Sequence, residues 1–175
     1  MTKKRAIFLD RDGVINKKAK EHDYIKKWGE FEFLPHITDV ISQLNKKFLV
    51  VVVSNQGGIS RKMMTVNDVN SIHSNMQLEL KKNNAIIDKV YFCPHYVQDN
   101  CMCRKPQPGL ILQAAKDLNI NLSKSYMIGD SGSDMEAGKK AGCKTVLCSD
   151  SFLEKNIKPD FVVKDILEIL KVVNG

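Results

Sequence analysis

No apolar run in this sequence approaches the ~20 residues a helix needs to cross a membrane. No apolar segment follows the basic start Met1-Thr2-Lys3-Lys4-Arg5 in the manner of a signal peptide. The chain instead runs straight into a short stretch of strand formers, and a cytoplasmic protein with no membrane partner is expected. Internal repeats, low-complexity linkers and insertions of domain size are also lacking. The 175 residues therefore suit one domain, residues 1–175, around a single core. The cysteines number five, an odd count that argues against a disulfide framework in a chain without an export signal. Basic residues are not gathered into one block. The net charge of +7 comes from 27 basic and 20 acidic residues, spread over Lys17-Lys18 with Lys20, Lys26-Lys27, Lys46-Lys47 and Lys81-Lys82. Scattered charge reads as solvated faces, or as attraction of an anionic substrate such as a sugar phosphate. No nucleic-acid recognition motif accompanies it.

What is there begins with Ile7-Phe8-Leu9-Asp10-Arg11-Asp12-Gly13. On an extended backbone, residues i and i+2 leave on one side, so Asp10 and Asp12 are expected together at the carboxyl end of a buried strand, where open α/β sheets place ligands. Two like charges held that close need a divalent cation, a shared proton, or both. The pair suggests a hard-metal site in which one acid acts as nucleophile and the other as proton donor. Residues 16–28 read as an irregular flap over the strand end, with Phe31 and Phe33 pinning the chain back and Pro35 opening a helix. The run Phe48-Leu49-Val50-Val51-Val52-Val53 reads as a central parallel strand. It ends in Ser54-Asn55-Gln56-Gly57-Gly58, a neutral cradle whose glycines can free backbone N–H groups for phosphate oxygens, or a plain turn.

Thr65 to Asp68 forms a capping box for a helix to about Asn83, and Ile86 to Phe92 reads as a third strand. Cys93, His95, Cys101 and Cys103 then supply a complete tetrahedral Cys₃His set within one short loop, the closed kind of donor set that binds structural zinc. Arg104-Lys105 follows at once, clamped between that loop and a helix starting near Pro108, where fixed cations suit phosphate recognition. Ser125 to Ile128 reads as a fourth strand ending in Gly129-Asp130-Ser131-Gly132-Ser133-Asp134. Ser133 to Glu136 is the expected cap of the next helix, which stops at Gly142. Asp134 either orients the site or favours the helix dipole. Cys143 and Cys148 are expected as core thiols. A fifth strand over residues 144–148, a short sixth at 161–163 and a closing helix complete the chain. Alternating strands and helices predict an α/β fold with a doubly wound parallel sheet and one composite site.

The set Asp10, Asp12, Ser54-Asn55, Lys105 and Asp130, in this order, resembles the haloacid dehalogenase (HAD) superfamily of phosphatases over roughly residues 5–150. Cys-Pro-His followed by Cys-x-Cys-Arg-Lys-Pro, with Asp-Arg-Asp-Gly and Ser-Asn-Gln-x-Gly-Ile, is similar to the capless subclass that holds heptose 1,7-bisphosphate phosphatases and histidinol-phosphatases. The resemblance implies a Rossmann-like HAD core without a cap domain, and a zinc-stabilised loop. It implies an Mg²⁺-dependent phosphatase acting on a small phosphorylated sugar, with the 7-phosphate of a heptose 1,7-bisphosphate favoured, histidinol-phosphate as the alternative, and a non-catalytic phospho-ligand module as a remote one. A monomer is expected. Asp10 would be the nucleophile and Asp12 the acid and base. Asp10, the Asp12 carbonyl and Asp130 would bind Mg²⁺, and Cys93, His95, Cys101 and Cys103 structural Zn²⁺. Arg11, Tyr24, Ser54, Asn55, Gln56, Arg104 and Lys105 would join the two aspartates in holding phosphate and substrate. The chain departs from the family pattern in having Ser54 and Gly57, where Thr and Ser are common, and in lacking the glycine that usually precedes Tyr24.

Overall fold

A computed structural model describes residues 2–149 and 158–174 of the chain. Its centre is a six-stranded sheet in the order β3-β2-β1-β4-β5-β6, with every neighbouring pair parallel. The strands are β1 (Ala6–Leu9), β2 (Leu49–Asn55), β3 (Lys89–Cys93), β4 (Tyr126–Gly129), β5 (Lys144–Cys148) and β6 (Phe161–Val163). The helices are α1 (Ile37–Leu44), α2 (Val66–Lys81), α3 (Gly109–Leu118), α4 (Gly132–Ala141) and α5 (Ile169–Asn174).

Side-chain alternation on the buried strands divides the core into two layers. Ile7, Leu9, Val50, Val52 and Ile128 face one way and pack with Ile37, Ile41 and Leu44 of α1, Met76 and Leu80 of α2, and Ile169 of α5. Phe8, Val51, Val53 and Met127 face the other way, against Leu110, Ile111 and Ala114 of α3 and Ala137 and Ala141 of α4. Every residue of β1 is fully buried, as a strand covered on both faces must be. Because β1 has β2 on one side and β4 on the other, the crossovers part at its carboxyl end and leave a crevice.

The expected doubly wound sheet is present, and the differences lie at element ends. β3 begins at Lys89, not Ile86, because Asp88 Oδ2 accepts the Val50 N–H at 2.7 Å just ahead of the ladder. β2 carries Ser54 and Asn55 inside the strand. The cap of α4 is formed by Ser131 and Asp134, in place of Ser133 and Glu136: Asp134 Oδ2 accepts from Ser131 Oγ at 2.6 Å and from the Ser131 N–H at 3.1 Å. The reason is the tight exit from β4. A Cβ on Gly129 would lie 2.2 Å from Asp134 Cβ, so only glycine lets the helix start this soon. Gly142 ends α4 with φ +84°, as expected. Cys143 is buried in the second layer, and Cys148 packs half-buried against the first. Among the described residues, no helix is long and apolar enough to cross a membrane.

Candidate active site

The carboxyl ends of β1, β2 and β4 open into a cleft of about 390 Å³ lined by Asp10, Asp12, Ser54, Asn55, Arg104, Lys105, Asp130, Ser131 and Ser133, with flap residues 18–25 over it. Three acids and a lysine form its floor. Lys105 is 3% exposed, and its ammonium has three partners: Asp10 Oδ1 at 2.9 Å, Asp134 Oδ1 at 2.5 Å and the Val53 carbonyl at 2.9 Å. Burial alone would lower its pKa; Asp10 and Asp134 outweigh burial and hold the ammonium above its ordinary value. Asn55 fixes the lysine's backbone, accepting the Lys105 N–H on Oδ1 at 3.0 Å and donating Nδ2 to the Lys105 carbonyl at 3.0 Å. That leaves one Nδ2 hydrogen for any ligand. Ser54 is buried, and its Oγ accepts from Gln56 Nε2 at 2.8 Å, so its own hydroxyl proton is available to the cleft.

Asp130 pairs with Lys18 Nζ of the flap at 2.6 Å. Gly13, at φ +93°, makes room for it: a Cβ there would fall 1.7 Å from Asp130 Oδ2. Burial raises the Asp130 carboxyl, with Lys18 opposing. Carboxylate oxygens of Asp10, Asp130 and Asp134 all lie within 4.8 Å of one another. An all-oxygen, carboxylate-rich set is the chemistry that hard divalent cations take. Both Asp134 oxygens are engaged, by Lys105 and by Ser131, whereas Lys105 meets Asp10 on Oδ1 and Lys18 meets Asp130 on Oδ2, so Asp10 and Asp130 each keep a second oxygen to offer a cation.

Two of the predicted substrate residues lie elsewhere. Arg11 is fully buried and turned away from the cleft: Nε and Nη2 donate to Asp12 at 3.0–3.3 Å, while Nη1 meets His73 Nε2 at 3.3 Å. Gln56 is also fully buried and donates to Asp12 Oδ2 at 3.0 Å. Their side chains hold Asp12 because its carboxylate, next to a buried guanidinium, is the strongest acceptor in reach. Glycines 57 and 58 do not line the cleft. A Cβ on Gly57 would meet Arg104 Nη1 at 3.1 Å and Tyr24 Oη at 3.3 Å, and one on Gly58 would meet the Tyr24 ring at 2.9 Å. Their smallness admits the flap tyrosine and Arg104. Arg104 donates Nη1 to the His95 carbonyl at 3.0 Å and lies over the Tyr96 ring; Arg61 also lies over the Tyr24 and Tyr96 rings.

The four predicted zinc donors converge. Cys93, Cys101 and Cys103 Sγ are 3.2–3.5 Å apart, and His95 Nδ1 is 3.6 Å from Cys93 Sγ and 3.3 Å from Cys103 Sγ. Corner-to-corner distances around a tetrahedral zinc are about 3.8 Å for Zn–S bonds near 2.3 Å, so these donors need only slight expansion to fit the ion. Sequence reasoning missed His73, Asn16 and Lys18. An arginine between two acids at a buried strand end was the one available signal, since such a guanidinium must find partners.

This fold and floor define a class: a hydrolase of the haloacid dehalogenase type. Residues 102–169 match the HAD-hydrolase-like family model. D-glycero-beta-D-manno-heptose-1,7-bisphosphate 7-phosphatase of Haemophilus ducreyi is 34% identical over 98% of this chain and 99% of its own length. The enzyme of the same name from Rhodopseudomonas palustris is 42% identical over 78% of this chain and 79% of its own. The crystal structure of D,D-heptose 1,7-bisphosphate phosphatase from B. bronchiseptica, complexed with magnesium and phosphate, superposes with a TM-score of 0.85 at 28% identity, covering 97% of this chain and 98% of that one. The chain belongs to this family of haloacid dehalogenase-like phosphatases.

Proposed function

We propose that this chain is an Mg²⁺-dependent phosphatase that removes the 7-phosphate of D-glycero-β-D-manno-heptose 1,7-bisphosphate through an aspartyl-phosphate on Asp10. One observation carries the reading: Asp10 and Asp12 reach the same cleft, yet Asp10 is paired with Lys105 and Asp12 with Arg11. The names of the relatives supply the sugar and its anomer. An Asp10 carboxylate oxygen attacks phosphorus in line with the C7 oxygen. The P–O bond to C7 breaks, and Asp12 gives its proton to that oxygen. Asp12 then takes a proton from the water that attacks the same phosphorus, releasing phosphate and restoring Asp10.

Asp10, Asp130 and the Asp12 carbonyl would hold Mg²⁺, which supplies charge neutralisation at the phosphoryl oxygens. Lys105, the Ser54 hydroxyl and the remaining Asn55 hydrogen would hold those oxygens. Arg104 and Tyr24, at the rim, would meet the sugar and its other phosphate. Cys93, His95, Cys101 and Cys103 would bind Zn²⁺ and fix the loop that delivers Arg104 and Lys105. The reading places one catalytic domain over residues 1–175, working as a monomer in the cytoplasm on a small phosphorylated sugar.

The test is phosphate release with Mg²⁺ from both anomers of heptose 1,7-bisphosphate, histidinol-phosphate and fructose 1,6-bisphosphate. Preference for the β-heptose is expected. Preference for histidinol-phosphate would overturn the substrate and keep the chemistry; no release from any compound would overturn catalysis.

A further inference from the structure

We propose that His73, on α2 and outside the cleft, is a positioning residue for the proton-transfer carboxylate: it accepts a hydrogen bond from Arg11 and so fixes the guanidinium that aims Asp12. The proposal rests on the reading of Asp12 as acid and base.

Arg11 follows Asp10 just beyond the end of β1, and its side chain turns into the protein. It is fully buried, so its donors need partners inside the fold. Nη2 reaches both Asp12 oxygens at 3.0 Å, and Nε reaches Oδ1 at 3.3 Å. These contacts occupy one edge of a planar ion, and alone they leave it free to rock about that edge. His73 Nε2, 3.3 Å from Nη1, meets it away from that edge and removes the freedom. The imidazole is itself 5% exposed and lies 5.5 Å from the Phe92 ring at a tilt of 57°. It is therefore a packed stop and not a swinging side chain. Burial first, and the Arg11 charge second, push its pKa down to about 3. A neutral ring facing a guanidinium carries its proton on Nδ1 and offers the Nε2 lone pair.

The carboxylate so held also accepts from Asn16 Nδ2 at 2.9 Å and Gln56 Nε2 at 3.0 Å. Arg11, Asn16 and Gln56 thus fix the direction in which the carboxylate meets the cleft it lines. A small error in that direction costs rate without costing substrate affinity, because neither His73 nor Arg11 lines the cleft.

The test compares kcat/KM, which reports phosphorylation of Asp10, for an alkyl sugar phosphate and for p-nitrophenyl phosphate. The alkyl leaving group needs its proton; the nitrophenolate barely does. His73→Leu is expected to lower kcat/KM on the alkyl ester by ~10-fold or more, through kcat, and on the aryl ester by less than about threefold. His73→Gln, which returns an acceptor of similar reach, should restore most of the alkyl rate, and His73→Asn, which is shorter, should not. Thermal melting establishes that each variant is folded; should the leucine variant fail to fold, the Gln and Asn pair carries the same comparison. Equal losses on both esters, no loss on the alkyl ester, or no difference between Gln and Asn would overturn the proposal. Asp12→Asn is the separate control: if it shows no selective loss on the alkyl ester, the acid–base reading itself falls, whatever His73 does.

Discussion

Asp10 and Asp12 stand two residues apart at the end of one strand and meet opposite surroundings. Burial pushes the Asp10 carboxyl up to about 7, with Lys105 opposing and Asp134 adding to the rise. Burial would raise Asp12 as well, but the Arg11 charge, with hydrogen bonds from Asn16, Arg11 and Gln56, outweighs it and holds that carboxyl below its usual value. Asp10 shares its cation with Asp134, whereas Asp12 has a guanidinium largely to itself. Two identical side chains are thus prepared differently. Asp10 sits at a floor short of positive charge, which a divalent cation would relieve. Asp12 is locked in direction by Arg11, Asn16 and Gln56, and in the proposed mechanism it takes up the proton it donates as the phosphate dianion binds.

The widest way to separate the two is to neutralise each. Asp10→Asn is expected to reduce turnover by about four orders of magnitude or more and to abolish acid-trapped phosphoenzyme. Asp12→Asn should cost about 10²–10⁴-fold while phosphate still binds, measured by steady-state phosphate release and calorimetry. Equal phosphoenzyme levels in the two variants would erase the distinction between the roles.

Removing the shared cation tests the Asp10 side. Lys105→Met leaves Asp134, which is fully buried, without its counter-charge. A loss of about 3–5 kcal/mol in unfolding free energy is expected by urea titration, and unchanged stability would mean that Ser131 alone satisfies Asp134.

The zinc loop should matter to the same side, since Cys103 lies two residues ahead of Lys105. Purified protein should carry about one zinc per chain. Stripping it should lower the melting temperature by at least about 5 °C and turnover with it. Zinc-free protein with full activity would show that α3 and Asn55 position Lys105 without the metal.

A pH-dependent effect belongs to the Asp12 side. His73 in the folded protein titrates near 3, below its ordinary 6.5, so between those values the unfolded chain binds the proton and the folded one does not. Stability from this group is complete above about pH 6.5 and is lost as pH falls toward 3, by at most about 1.4 kcal/mol per pH unit. Asp10, raised instead of lowered, slopes the other way. The difference between wild type and His73→Gln at each pH isolates the histidine, and parallel pH profiles would show that it carries no such linkage.

Much of the fold follows from local pattern. Four valines in a row at 50–53 and a fully apolar β1 can only be strands covered on both faces, and Thr65 with Asp68 caps α2 as read. Cys93, His95, Cys101 and Cys103 are close in the chain, so their convergence is written into spacing alone. Asp10 and Asp12 reach one cleft, as their nearness in the chain suggests, although both lie beyond the end of β1, where the backbone is already turning. Partnerships between distant segments were decided by tertiary structure. Arg11 could have faced substrate or core; only the packing of α2, 62 residues away, supplies His73 and turns it inward. Asp134 could have oriented the site or merely favoured the helix dipole; it became both cap and counter-charge because Gly129 lets α4 start tight against the strand end, within reach of Lys105. A charge's partner depends on which elements lie beside it in space, and a linear sequence states the charges without stating those distances.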